Sequence, residues 1–225
     1  MAPMKKPRIT LIHATPVAID PICASFRRLW PQAQVTNLLE DSLSADLAAA
    51  GQLDHVMIER FCKLARYAES CGADAILFTC SAFGPAIEAA RAAVAIPVLK
   101  PNEAMMEEAL ATGPRIALLA TFEPSLPSMQ AELEQLAALR KASIAITTRV
   151  EPAAYVALHA GHGAEHDRLI AAAAEELGDC DALLLCQFSM ASAAERIASR
   201  HGRSVFTSPY SAVARLKQLL IHGSA

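Results

Sequence analysis

Short runs of consecutive apolar residues alternate along the chain with longer stretches in which apolar residues recur every three to four positions. The first pattern marks strands and the second marks helices packed on one face. Strands are predicted over residues 8–13, 33–38, 74–79, 96–99, 115–120, 143–149, 181–185 and 204–206. Helices are predicted over 21–30, 53–70, 85–93, 102–111, 126–140, 167–177, 191–200 and 209–221. Local punctuation supports several ends. Gly72 follows the second helix as a C-cap, Gly113 ends the fourth, and Pro85 sits in the first turn of the third. Uninterrupted apolar strands alternating with helices imply parallel sheets covered on both faces, an α/β fold.

The pattern repeats. Arg8-Ile-Thr-Leu-Ile is echoed by Arg115-Ile-Ala-Leu-Leu, and Asp74-Ala-Ile-Leu-Phe-Thr-Cys80 by Asp181-Ala-Leu-Leu-Leu-Cys186. Pro101-Asn-Glu-Ala104 is echoed by Pro209-Tyr-Ser-Ala212. The three pairs keep nearly one offset, with a one-residue slip before the second cysteine. The expectation is two pseudo-symmetric lobes, 1–99 and 100–207, each a short parallel sheet flanked by helices, a size a domain can take.

Composition narrows the function classes. The chain has 225 residues, 53% of them hydrophobic, and a net charge of −3. Its longest uncharged runs, such as 75–87 and 182–194, fall short of the roughly 18–20 apolar residues of a membrane span. The opening Met-Ala-Pro-Met-Lys-Lys-Pro-Arg shows no cleavage pattern, so no signal peptide is expected and a cytoplasmic location is. Aromatic content is 5% and no basic block appears, which leaves nucleic acid little to bind. A small molecule is the expected partner, and self-association is left open.

Six cysteines lie at Cys23, Cys62, Cys71, Cys80, Cys180 and Cys186, with no Cys-x-x-Cys, so zinc ribbons and thioredoxin-type motifs have no support. Cys23, Cys62, Cys71 and Cys180 read as small buried hydrophobes. Cys80 and Cys186 instead fall at the carboxyl ends of predicted strands, the edge where parallel sheets bind ligands. The helices that follow would lower their pKa and offer N–H groups to an anion. If the lobes face one another, both thiols point into a shared cleft from opposite sides. Two such groups suit cofactor-free inversion of a carbon acid: one thiolate takes a proton beside a carbonyl, and the opposing thiol returns one on the other face. The enolate then needs fixed donors. Candidates are the backbone after each cysteine (Ser81, Ala82, Gln187, Phe188) and the hydroxyls of Thr15, beside Pro16, and of Thr79, Ser81, Thr121, Ser125 and Ser189. His13 ends the first strand and Glu123 follows its counterpart, so both could line the site.

Thr79-Cys80-Ser-Ala-Phe-Gly-Pro85, Leu185-Cys186-Gln-Phe-Ser-Met-Ala191, Pro97-Val-Leu-Lys-Pro-Asn-Glu-Ala104 and the segment from Arg115 to Ser125 together resemble the aspartate/glutamate/hydantoin racemase superfamily over nearly the whole chain. The resemblance implies two α/β lobes with the active site between them, the terminal segments packed together (the helix 208–225 on the first lobe), and Cys80 and Cys186 as paired acid/base groups of a racemase without cofactor. Amino-acid racemases of this family carry Asn-Thr after the first cysteine and Thr with His or Glu after the second. Here Ser81-Ala82 and Gln187-Phe188 stand there, which weakens aspartate or glutamate as substrate, while Phe83-Gly84-Pro85 and Ser189-Met190-Ala191 look more like the hydantoin and allantoin racemase branch. The substrate is then an amino acid, a hydantoin-like ring or a dicarboxylate. A maleate cis–trans isomerase branch also uses two cysteines and stays open. An arylmalonate decarboxylase branch keeps only the second, against which the presence of both argues.

Other chemistry ranks lower. His159, His162 and His166 have spacing that could hold zinc, but Gly161 and Gly163 make the segment a loop with solvated histidines, so no metal is expected. Neither cysteine is followed by the Arg of a thiol phosphatase loop: Ala86 and Ser192 stand there. A two-lobed binding protein is the non-enzyme alternative, although it has no need of paired thiols.

Overall fold

The computed structural model describes residues 6–201 and 204–222. The first five residues, on which the reading of the amino terminus rests, lie outside this range. Among the described residues the strands form two four-stranded sheets, each wholly parallel and flanked by helices. The chain divides into two compact units, Met1–Pro101 with Ala212–Ala225, and Asn102–Ser211.

The first sheet has the order β2-β1-β3-β4, from β1 (Arg8–His13), β2 (Gln34–Leu39), β3 (Ala75–Phe78) and β4 (Val98–Leu99). Around it lie α1 (Ile19–Leu29), α2 (Ser42–Ala50), α3 (His55–Ser70) and α4 (Gly84–Ala92). Because side chains alternate along a strand, Ile12, Ile76 and Phe78 turn to one face, where they pack with Phe61, Ala65, Phe83 and Ile87 of α3 and α4. Phe61 lies against Phe78 and Phe83, with centroids 5.2 and 4.8 Å apart. Asp54 caps α3 by accepting from Met57 N–H at 2.8 Å.

The second sheet has the order β6-β5-β7-β8, from β5 (Arg115–Ala120), β6 (Ala145–Val150), β7 (Ala182–Leu185) and β8 (Ser204–Thr207). Its helices are α5 (Glu103–Thr112), α6 (Leu126–Leu139), α7 (Pro152–His159), α8 (Gly163–Glu175) and α9 (Ala194–His201). Two apolar layers sandwich it. One holds Leu119, Leu183 and Leu185 with residues of α8 and α9; the other holds Ile116, Leu118 and Leu184 with Met105, Met106, Met129 and Leu133 of α5 and α6. The last helix, α10 (Ser208–His222), begins in this unit, where Ser211 donates to Glu108 at 2.6 Å. Its later turns belong to the first unit, where Lys217 Nζ donates to Leu29 O at 3.0 Å.

The repeat is exact at the level of hydrogen bonds. β1 and β3 align Ile9 with Ala75, as β5 and β7 align Ile116 with Ala182. Asp74 accepts from Arg8 N–H at 2.8 Å, and Asp181 accepts from Arg115 N–H at 2.8 Å. A carboxylate thus starts the central strand pair of each sheet.

Two helices have no counterpart in the sequence prediction. α2 is Ala-rich and buries only Leu43, so it lacks a periodic apolar stripe. α7 opens on Pro152 and buries only two alanines, Ala154 and Ala157. The loop predicted across His159–His166 is also corrected: α8 starts at Gly163, and His166 is 1% exposed rather than solvated.

Candidate active site

In each unit the chain leaves the middle strands and turns into a helix through a short 3-10 turn, leaving a cluster of polar side chains at the carboxyl edge of the sheet. The first unit gathers His13, Thr79 and Cys80. His13, last in β1 and fully buried, contacts Asn37 Oδ1 through Nε2 at 3.0 Å and Thr79 Oγ1 through Nδ1 at 2.8 Å. The amide oxygen can only accept, so the hydrogen sits on Nε2 and the Thr79 hydroxyl donates to Nδ1. Burial holds the imidazole below its ordinary pKa, only partly offset by the bond to Asn37. His13 is therefore a neutral ring fixed at both nitrogens.

Cys80 is the residue before the turn Ser81–Phe83, in extended backbone. It is half-buried and packs against the Phe61–Phe78–Phe83 cluster. A narrow crevice without room for a water molecule is lined by Ile12, His13, Ala14, Leu43, Phe61, Phe78 and Cys80. The apolar walls push the Cys80 thiol up, against a smaller lowering by a hydrogen bond from the Ala82 backbone. This corrects the expectation that the following helix lowers it. Desolvation by the aromatic wall outweighs the partial charge of a helix end. Thr15 is half-buried and Pro16 exposed at the start of the turn Pro16–Ala18, while Ser81 is half-buried and Ala82 exposed.

The second unit gathers Thr121, Ser125 and Gln187. Gln187 Oε1 accepts from Thr121 N–H at 2.8 Å, and its Nε2 donates to Ser125 Oγ at 2.7 Å. Ser125 in turn donates to Phe122 O at 2.7 Å. Glu123 is exposed in the turn Glu123–Ser125; Phe188 is buried, and Ser189 is half-buried.

Cys186 does not occupy the place that matches Cys80. Thr79 N–H bonds to Ile12 O, and the corresponding bond of the second unit runs from Cys186 N–H to Leu119 O. Counted from the aligned residues Ala75 and Ala182, Cys186 matches Thr79 and Gln187 matches Cys80. The residue preceding the 3-10 turn is Cys80 in one unit and Gln187 in the other, both in extended backbone. The one-residue slip seen in sequence is thus a change of face. Cys186 packs among Leu184, Met105, Met106, Met129 and Leu133, is 4% exposed, and contacts Leu184 O at 3.7 Å. Burial pushes its thiol up to about 12.

Several neighbours carried no sequence signal. Asn37 stands in a strand without distinction. Leu43, Phe61 and Phe78 read only as core. Phe122 and Tyr155 stack at 5.5 Å while staying partly exposed, beside Thr121. Thr207 ends β8 opposite Leu185; it is 2% exposed and its hydroxyl has no hydrogen-bond partner among the described residues. Exposed aromatics and an orphaned hydroxyl are properties of packing, and composition does not reveal them. Of the four cysteines expected in the core, Cys62 is buried, Cys23 and Cys180 are half-buried, and Cys71 is exposed. Among the described residues no cluster of His, Cys, Asp and Glu could hold a metal ion.

The family model for Asp/Glu/hydantoin racemases matches residues 30–216. The chain belongs to the Asp/Glu/hydantoin racemase family. Solved structures share the fold of this racemase-family chain. An allantoin racemase from Klebsiella pneumoniae is 20% identical with a TM-score of 0.73, covering 96% of this chain and 89% of its own. A glutamate racemase from Bacillus anthracis is 15% identical with a TM-score of 0.69, covering 97% and 83%. An unliganded arylmalonate decarboxylase is 20% identical with a TM-score of 0.66, covering 93% and 92%. A search of curated proteins finds no sequence match. Among the described residues no helix is long and apolar enough to cross a membrane.

Proposed function

We propose that this racemase-family chain is a cofactor-independent isomerase that moves a proton at a carbon next to a carboxyl or carbonyl group, with Cys80 as its acid/base group. The observation that carries the reading is the position of Cys80. It follows a buried parallel strand, precedes a turn and lines a narrow apolar crevice shared with His13. A thiol raised by such walls is protonated at neutral pH, and a thiolate formed there is a strong base in a dry setting. The hydroxyls and N–H groups at the strand ends are the donors an enolate needs. The family and the fold support carbon-acid chemistry as a class. The substrate, whether an amino acid, a hydantoin-like ring or a dicarboxylate, belongs to the proposal.

A two-thiol inversion would need Cys186 to titrate from a core position, and its packing speaks against that role. Both enantiomers of aspartate, glutamate and allantoin, together with 2-methyl-2-phenylmalonate, form a suitable probe set in D2O followed by proton NMR. Exchange or turnover of at least one probe, lost in Cys80→Ser, is expected. Tight binding with no exchange by the wild type on any probe would make the protein a binder and overturn the reading.

A further inference from the structure

We propose that α2 is a lid over Cys80, with Leu43 as its plug and Arg60 as its latch. The inference rests on the carbon-acid reading above and deepens it, because it assigns how that site opens and closes. A proton passes between a carbon and a thiol only when the reacting atoms come within about 3–3.5 Å of each other. The crevice that Cys80 lines has no room for a water molecule. The structure therefore shows a closed state, and one wall has to move before a substrate carbon reaches the sulfur.

The walls differ in how firmly they are held. Ile12 and Phe78 are paired in the two middle strands of the sheet. His13 is fixed at both ring nitrogens. Phe61 packs against Phe78 and Phe83 from α3, which also buries Met57, Cys62, Ala65 and Ala68. Leu43 is held differently. It is 1% exposed, yet it is the one buried residue of α2; Leu47, one turn on, is half-buried and the rest of the helix is exposed. Moving α3 would strip five side chains from the core, whereas moving α2 releases one leucine and part of a second. The element with the fewest buried contacts opens first.

Polar ties outside the core hold α2 down. Arg60 on α3 pairs with Asp46 and donates to Ser42 Oγ at 2.6 Å, both on α2, and it pairs with Glu40 just before that helix. Ser42 passes its own hydrogen to Glu40 at 2.7 Å. Ser44 donates to Ala14 O at 3.0 Å, beside the crevice. Most of these groups meet solvent, so water replaces their bonds when the helix lifts. Both flanks are anchored close by. Glu40 N–H bonds to His13 O before α2, and Asp54 caps α3 after it. Between α2 and that cap lie Gly51, in the left-handed region at φ 71°, then Gln52 and Leu53, a short hinge. Lifting α2 draws Leu43 from the crevice and uncovers Phe61, Phe78 and Cys80. Its return excludes water from the thiol and whatever it holds.

The test reads access to the thiol without turnover, so the lid and the carbon-acid reading fail separately. Wild type, Leu43→Ala and Arg60→Gln are alkylated with iodoacetamide at pH 8. Cys80 labelling is followed peptide by peptide, with exposed Cys71 as the reference in the same sample. Wild-type Cys80 is expected to lag behind Cys71. Leu43→Ala is expected to speed Cys80 labelling at least about tenfold, the lower end of what burying one leucine is worth as an equilibrium factor. Arg60→Gln is expected to speed it about two- to fivefold, the worth of an exposed ion-pair cluster. Raising wild type from low salt to about 1 M sodium chloride should gain as much by screening the latch, and Arg60→Gln should gain nothing from salt. Hydrogen exchange on the wild type needs no variant: the amides of α2 should exchange together and ahead of those of α3. Cys80 labelled as fast as Cys71 in the wild type, Cys80 labelling unchanged in a folded Leu43→Ala or Arg60→Gln, or α2 amides exchanging only with those of α3 would each overturn the proposal. The expected labelling with no exchange on any carbon-acid probe supports the lid and overturns only the carbon-acid reading.

Discussion

Replacing His166 by Leu tests how the second unit holds the turn that carries Gln187. His166 lies on α8 with Nδ1 2.9 Å from Ala154 O of α7 and Nε2 3.3 Å from Ser189 O of the turn after β7. It therefore ties α7, α8 and that turn together from a position 1% exposed. Both partners are carbonyl oxygens, which accept from the ring, and the shorter contact is the better hydrogen bond. Leucine keeps the apolar bulk and removes the donor. A buried hydrogen bond is worth about 1 kcal/mol net, and a buried acceptor left without it raises the cost to about 1–3 kcal/mol. Ala154 O sits in a helix and keeps a second lone pair, which favours the lower part of that range, about 1–2 kcal/mol. At roughly 2–4 °C per kcal/mol for a chain of this size, the melting temperature should fall by about 2–8 °C. Calorimetry or far-UV circular dichroism measures it. His166→Gln, which can still donate, should lose less, and His159→Ala, on an exposed position of α7, should change little. A His166→Leu protein as stable as the His159→Ala control would refute the reasoning and return His166 to the solvated loop expected from sequence.

Three further outcomes follow from the geometry. Thr207→Val keeps the side-chain shape and removes a buried hydroxyl with no partner among the described residues, so it should raise stability by about 1 kcal/mol in urea unfolding with an unchanged slope; a loss of that size would mean the hydroxyl is satisfied. Cys186 has a folded pKa raised to about 12 from an ordinary value of 9.0, so the folded state keeps its proton while the unfolded chain loses it. Stability attributable to Cys186 is present below pH 9 and falls as pH rises toward 12, and Cys186→Ala should unfold less steeply than wild type across that window in alkaline titration. His13 is held neutral below its ordinary 6.5, so the unfolded chain binds a proton first on acidification; stability should fall as pH drops from about 7 through that value, with a shallower slope in His13→Gln, measured by Tm against pH.

The architecture was legible because buried parallel strands leave continuous apolar runs, and Asp74 and Asp181 mark equivalent starts. α2 and α7 were not, because each packs through alanines, and Ala-rich segments carry helix propensity without a stripe. The candidate residues of the first edge, His13, Thr79 and Cys80, fall together because strand ends can be counted. The second edge misled in one respect. Cys186 ends an apolar run just as Cys80 does, but a shift of one residue reverses the face; the slip counted from Asp74 and Asp181 signals it, and the hydrogen-bond register shows that no bulge restores the match. The partners of His13 and Gln187 lie on other strands and turns, at distances along the chain that no local pattern encodes. His166 looked solvated because glycines flank it; its burial depends on α7 folding back over α8.

Under the proposed function, Cys80 moves the proton and Cys186 does not. Solvent deuterium uptake at the α-carbon of whichever probe the wild type accepts, measured side by side in Cys80→Ser and Cys186→Ala, tests it most directly. A fall of at least about 100-fold is expected for Cys80→Ser, the contribution of one positioned acid/base group, with near-wild-type uptake for Cys186→Ala. Full uptake surviving Cys80→Ser, or equal losses in both variants with folded circular dichroism, would contradict it.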